Sequence, residues 1–527
     1  MQPQKSPLDP ALDRDEAHAD PEKGFANGDG PFESSLDMPA APAMTANVPI
    51  PSRLRAWNDK IEGLAGLEAR GITRVLPSER HPASLMSLVQ MSLLWFSANL
   101  TANNLAVAFL GPLVFELGFL DSAMCAVFGA FVGCVLTAYM SIWGAQSGNR
   151  TMIVARFFMG YWPSKICCLL NIVIMVGYGL IDCLIGGQIL SAVSGGSLSV
   201  IVGIVIVAII SLVVAMFGIA IFHVYERWAW IPQVIVLFIL VGSAGPKFNT
   251  SLASVGDSST IAANRLTFFS LALSVPVSWA AAASDFYVYY PEKTPKWQAF
   301  LMTLTGLTLA FSFVNMLGIG LASGIATQPN WSAAYDVSSG ALILAGYDGL
   351  GGFGKFCGVI VALGVIANNI PGTYSAALGF QMLGRYPKVV PRWIWTIVVV
   401  LIYFICAIVG RNHLFTIFQN FLALMGYWVT IFVCIVLEEQ LLFRRRLGYD
   451  WAAWEDQKRL PIGLAALAAF LIGWAGAIIS MDQVYYVGPV AKQVGSAGAD
   501  LGIWVGCAFT LVTFPPMRFL ELRMFRR

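Results

Sequence analysis

Charged side chains are scarce in this chain: Asp, Glu, Lys and Arg together make up 12% of its 527 residues. A water-soluble domain carries about twice that share, so a large soluble enzyme is excluded. What charge there is lies unevenly, since residues 1–80 hold 9 of the 32 Lys/Arg and 13 of the 30 Asp/Glu. The formal net charge is only +2, which gives no basic field for nucleic acid. Histidine is reduced to four residues (His18, His81, His223, His413), all in the tail, loops or ends of apolar stretches. No HExxH, no paired-carboxylate cluster and no Ser/His/Asp set falls at one depth, so the chain is not read as an enzyme. The nine cysteines sit inside apolar stretches without paired metal or redox spacing, and read as reduced, buried fillers. No metal and no cofactor is expected. The run Gly349-Leu350-Gly351-Gly352-Phe353-Gly354-Lys355 imitates a phosphate loop, but Phe356 stands where Ser or Thr is required, so it reads as a loop entering an apolar stretch.

Apolar residues are what the chain has instead, at 57% of the total. The acidic, Pro-rich residues 1–83 read as a disordered cytoplasmic tail, with one short amphipathic helix near 54–68. After it come about 12 stretches able to cross a bilayer at about 20 residues each: roughly 84–115, 121–144, 166–193, 197–220, 228–246, 266–289, 298–324, 355–383, 393–410, 413–437, 461–481 and 501–516. Residues 517–527 read as a second cytoplasmic tail. Hydrocarbon cannot hydrogen-bond an open strand edge and the stretches lack barrel alternation, so the expected fold is an all-α polytopic membrane protein. With both termini cytoplasmic, the loops on that side hold 14 Lys/Arg and the opposite loops 5, as the positive-inside rule requires.

Four stretches carry polar residues where lipid would punish them. The first contains Ser97-Ala98-Asn99-Leu100-Thr101-Ala102-Asn103-Asn104. The sixth contains Ser274-Val275-Pro276-Val277-Ser278-Trp279 and then Ser284-Asp285. Pro276 lacks a backbone donor, and short polar side chains can satisfy the groups it frees. Stretches one and six each begin a set of five, so breaks there point to an inverted repeat around a midplane site; the plainer alternative is two kinked helices. The eighth holds Ala367-Asn368-Asn369-Ile370-Pro371-Gly372, read as ligand-facing amides beside a proline-loosened turn, with interhelical glue as the alternative. The third holds Asp182, with Tyr178 one turn earlier on the same face. An acid at that depth is a functional candidate and a conceivable proton carrier, or else an acid neutralised by a packing partner. Asp285 falls at the end of stretch six and reads as an interfacial cap.

Taken together these residues resemble the fungal purine–cytosine permeases of the nucleobase–cation symporter family, over about 84–480. Ser97-Ala98-Asn99, Gly186-Gly187-Gln188, Trp279 with Ser284-Asp285-Phe286, and Ala367-Asn368-Asn369-Ile370-Pro371 carry the likeness. The resemblance implies a five-plus-five inverted-repeat, LeuT-like core (about 84–246 and 266–437) with two extra helices (about 461–516). It further implies proton-driven import of a small planar heterocycle, a purine nucleobase or cytosine, across the plasma membrane. On that resemblance Trp279 stacks on the ring, with Tyr178 opposite. Ser97, Asn99, Asp182, Asn368 and Asn369 read its edge, Pro371 shapes the turn, and Asp182 is the candidate for proton coupling. The chain departs from the family pattern in having Tyr178 and Asp182 where Trp and Asn are usual, and Gly372 in place of an Asn. An ionised carboxylate only accepts hydrogen bonds, so a donor-rich or cationic ring such as pyridoxine, or a thiamine-like vitamin, is the alternative cargo. A non-transporting nutrient sensor is the alternative from another class. The lipid bilayer and the small substrate are the expected partners, and the oligomeric state is left open.

Overall fold

The computed structural model describes residues 71–527 apart from 81–84, 218, 446, 496, 497 and 526. The expected tail up to residue 70, with its helix near 54–68, lies outside the described residues. Thirteen helices carry the architecture: α1 (Leu85–Asn99), α2 (Ala102–Ala108), α3 (Phe119–Ser147), α4 (Pro163–Val193), α5 (Val200–Phe217), α6 (Ile219–Ala244), α7 (Ser258–Val277), α8 (Lys296–Gly324), α9 (Gly351–Met382), α10 (Arg392–Gly410), α11 (Ala423–Glu438), α12 (Leu464–Ser480) and α13 (Gly502–Phe525). Among the described residues nine helices are long and apolar enough to cross a membrane, α1 and α2 form a bent pair, and α5 and α12 are shorter apolar helices. Each expected stretch overlaps at least one of these helices. The one sheet among the described residues is a two-stranded antiparallel hairpin, β1 (Asp482–Gln483) with β2 (Tyr486–Val487), paired Asp482 to Val487 and Gln483 to Tyr486.

Local chemistry sets the helix ends. Pro163 opens α4, where its missing N–H costs nothing. Gly148 ends α3 in the left-handed region at φ 66°. Close packing then fixes the layers: a Cβ on Gly129 of α3 would lie 2.5 Å from the Phe269 carbonyl oxygen, so only glycine lets α7 approach there. α4 lies along α9, α5 and α10, while α3 lies along α7 and α8.

Both expected breaks are present. α1 and α2 meet at Leu100-Thr101 with a bend of 60°. α7 ends at Val277 and passes into the 3₁₀ segments Ser278–Ala281 and Ala283–Tyr287. Two expectations are corrected. α9 runs unbroken through Pro371; an interior proline removes one i→i−4 bond, and the packed neighbours hold the rest of the helix. α13 continues to Phe525, through the stretch read as a tail, because Arg518 and Glu521 are buried rather than solvated, Arg518 pairing both with Glu521 and with Glu439 just past the end of α11.

Candidate functional site

The 3₁₀ segment after α7 and the middles of α4 and α9 meet at one small cavity, lined by Ile174, Met175, Tyr178, Asp182, Ser278, Trp279, Asn368, Asn369 and Gly372. The lining of α4 follows helical spacing: Ile174, Tyr178 and Asp182 recur every four residues on one face. Trp279 enters because the 3₁₀ segment after α7 turns its side chain inward.

The indole is fixed from behind. Its Nε1 donates to Asn99 Oδ1 at 2.9 Å, and Asn99 Nδ2 donates to the Trp95 carbonyl at 2.9 Å. Trp95 and Phe286 meet the ring edge-to-face, with centroids 5.8 and 6.3 Å away. Tyr178 donates toward Ser278 Oγ at 3.2 Å and meets Phe421 at 5.7 Å. Asn369 Nδ2 reaches Ser211 Oγ at 3.1 Å and the Tyr403 hydroxyl at 3.3 Å, and its Oδ1 accepts from Thr373 at 3.2 Å. Asn368 Nδ2 donates to the Ala98 carbonyl at 2.5 Å, and its Oδ1 accepts from Asn103 at 3.3 Å. Asp182 is the exception. It is fully buried, and neither carboxyl oxygen has a hydrogen-bond partner. A buried acceptor without a donor is costly, and here it opens on a cavity beside an oriented aromatic ring.

Six of the expected residues thus meet at the cavity: Tyr178, Asp182, Trp279, Asn368, Asn369 and Gly372. Ser97, Asn99 and Pro371 do not line it. Asn99, expected to read a ligand edge, has its amide committed at both ends and works as a bracket for Trp279. Asp285, expected as an interfacial cap, is buried instead: Thr151 N at 2.6 Å, Thr151 Oγ1 at 2.9 Å and Ser375 Oγ at 3.2 Å all donate to it. Ile174, Met175 and Ser278 were not anticipated. The four-residue spacing back from Asp182 marks Ile174, and Ser278 directly precedes Trp279 in sequence.

A helical bundle broken at two matching helices, with a polar and aromatic cavity beside the second break, is built as a transporter rather than an enzyme. Residues 77–506 match the family described as permeases for cytosine/purines, uracil, thiamine and allantoin. The chain belongs to that family. It is 35% identical to the vitamin B6 transporter TPN1 of Saccharomyces cerevisiae, over 95% of each chain. It is 34% identical to the purine-cytosine permease fcyB of Emericella nidulans, covering 89% of this chain and 92% of that one. With the purine-cytosine permease FCY2 of S. cerevisiae the identity is 31%, over 90% of this chain and 89% of the relative. Among solved structures, Mhp1, a nucleobase-cation-symport-1 family transporter with bromovinylhydantoin bound, shares the fold at TM-score 0.62 and 14% identity, covering 87% of this chain and 96% of that one. A Na⁺-coupled sialic acid symporter shares it at TM-score 0.57 and 10% identity, covering 82% and 90%.

Proposed function

We propose that the protein is a proton-coupled importer of a small planar nitrogen heterocycle, a purine nucleobase or cytosine. The observation that carries this reading is the pairing, in one cavity, of a fixed indole face at Trp279 with the partnerless carboxyl of Asp182. A flat ring gains from stacking on the indole, while ring N–H groups supply the donors that Asp182 lacks. Asn368 and Asn369 line the same cavity. Rocking of one helix group against the other about the breaks would expose the site alternately to the two sides. Asp182, as the one acidic group of the lining, is the proposed proton carrier. The 14-to-5 split of Lys/Arg between the two sets of loops supports cytoplasmic termini, and a plasma-membrane location goes with an uptake role.

A second reading, pyridoxine as cargo, is favoured by Asp182 and Gly372 together. An acid suits a protonated pyridine with hydroxyl donors, and a Cβ on Gly372 would meet only Met175 Sδ, at 3.6 Å, so the wall there is open. Competition uptake in transporter-deficient cells decides, using cytosine, adenine, hypoxanthine, uracil, pyridoxine and thiamine at several external pH values. Concentrative, acid-stimulated uptake competed by cytosine and purines supports the first reading, and competition by pyridoxine alone supports the second. Binding without accumulation would make the chain a sensor and overturn both.

A further inference from the structure

A broken membrane helix leaves backbone carbonyls without helical donors, and in transporters of this architecture unwound carbonyls and half-helix C-terminal ends are where a cation is coordinated. A hard monovalent cation needs several such oxygens, from carbonyls and hydroxyls, turned toward one point. The carbonyls around the α1–α2 break can be accounted for one by one. Ser97 O accepts from Leu100 N at 3.2 Å and Thr101 O from Leu105 N at 3.2 Å, so the flanks are closed by backbone. The three between them are closed by side-chain amides from three different helices. Ala98 O accepts from Asn368 of α9 at 2.5 Å, Asn99 O from Asn104 of α2 at 2.8 Å, and Leu100 O from Gln233 of α6 at 3.1 Å. The hydroxyls one turn along α9 have partners of their own: Thr373 donates to Asn369 and Ser375 to Asp285. Three consecutive carbonyls are thus each drawn to a neutral amide donor held on its own helix, which does at the break what a sodium ion would otherwise do.

We propose that the amides of Asn368, Asn104 and Gln233 take the place of a bound sodium ion at the break, so that the protein holds its first helix open without that ion and works independently of it. Gln233 is the positioning residue that makes this distinctive. It comes from α6, next to Pro232, and no part of it lines the substrate cavity. Its side chain lies against the α9 backbone so closely that a Cβ on Gly364 would approach its Cδ to 2.5 Å. The residue therefore ties α1, α6 and α9 together at one point, and its only assigned hydrogen bond is the one to Leu100. A sodium ion would do the same job by drawing the same oxygens inward.

The inference rests on the transporter reading above, but its decisive measurement needs no substrate. The purified full-length protein is melted in detergent in about 150 mM NaCl and in the same concentration of choline chloride, where a specific stabilising ion raises the midpoint by several degrees. The wild type is expected to melt at the same temperature in both salts. Gln233→Leu, which cannot donate to the Leu100 carbonyl, is expected to melt lower. Gln233→Glu, protonated near about pH 5 and able to donate an O–H, is expected to recover wild-type melting there and to lose it as the pH rises to about 8. Sodium-dependent melting of the wild type overturns the proposal. So does a Gln233→Glu protein that melts as the wild type at both pH values, a comparison that stands even where Gln233→Leu does not fold. Uptake of cytosine and pyridoxine in sodium and in choline forms the parallel arm, expected to agree within about twofold in wild type. Should neither compound be taken up, the cargo reading fails while the melting result still decides the amide proposal.

Discussion

Glu439 and Asp182 are both carboxylates shut away from solvent in this bundle, and their surroundings differ completely. Glu439, just past the end of α11, is gripped by Arg518 through two bonds of 2.9 Å and by Arg444 at 3.2 Å. Arg518 also holds Glu521 at 2.9 Å, whose other oxygen accepts from the backbone N–H groups of Gly463 and Leu464 at the start of α12 at 2.8 and 2.9 Å. Every charge there has a partner, and the cluster bolts the last three helices together. Asp182 has none. A buried carboxylate gripped by arginines is a structural joint, whereas a buried carboxyl that has no partner and faces a cavity waits for something to arrive.

The largest effect is therefore expected at the joint. Arg518→Met removes both of its bonds to Glu439, leaves Arg444 as that acid's remaining countercharge and strips Glu521 of its arginine; breaking one side of a buried pair costs about 3–5 kcal/mol. Loss of folded protein on size-exclusion chromatography, or a steep fall in melting temperature, checks it. A variant that melts like the wild type would erase the distinction between the two acids.

Trp279→Ala comes next. Stacking on an indole is worth about 1–3 kcal/mol per ring, so heterocycle affinity should fall up to about 100-fold, measured by saturation binding. Part of the cost comes from Asn99, whose Oδ1 would lose its donor. That bracket is what sequence reasoning could not see. Ser97, Asn99 and Pro371 were expected at the ligand because polar and proline residues at membrane depth attract functional readings, and no pattern tells an asparagine that reads a ligand from one that braces a tryptophan. The breaks themselves were legible, because Pro276 and the Ser-Asn-Thr run of α1 violate what lipid allows. Asp182 was legible for the same reason. Gln233 was not, since a lone glutamine beside a proline in an apolar stretch carries no signal of where its amide lands. The end of α13 was hidden differently: Arg518 and Glu521 look like a solvated tail until Glu439, 79 residues before Arg518, is placed against them.

Asp182→Asn sharpens the contrast from the other side. Asp182 makes no hydrogen bond within the protein to lose, so the melting temperature should hold to within about 1 kcal/mol of stability. Affinity for a donor-rich or protonated ring should drop about tenfold, the worth of one charge-assisted hydrogen bond, and the rise of uptake on acidification should flatten. Wild-type uptake across pH and substrates would remove Asp182 from the site.

The smallest effect belongs to a third acid, Asp500, which stands between the other two in character. It precedes α13 and is buried, with donors but no countercharge: Tyr427 at 2.5 Å, Gln483 at 3.0 Å and the Gly502 N–H at 2.8 Å. Burial, only partly offset by those donors and reinforced by nearby Asp482, pushes its pKa up to about 6. Because the folded value lies above the unfolded one, folding takes up a proton here. The stabilisation is complete below about pH 4 and is lost as the pH climbs through about 6. The wild type should thus gain about 1 kcal/mol between pH 7.5 and 5 from this group, read as a rise in melting temperature. Asp500→Asn should remove that gain while leaving the binding site untouched, since hydrogen bonds without a countercharge hold an acid in place but do not keep it ionised.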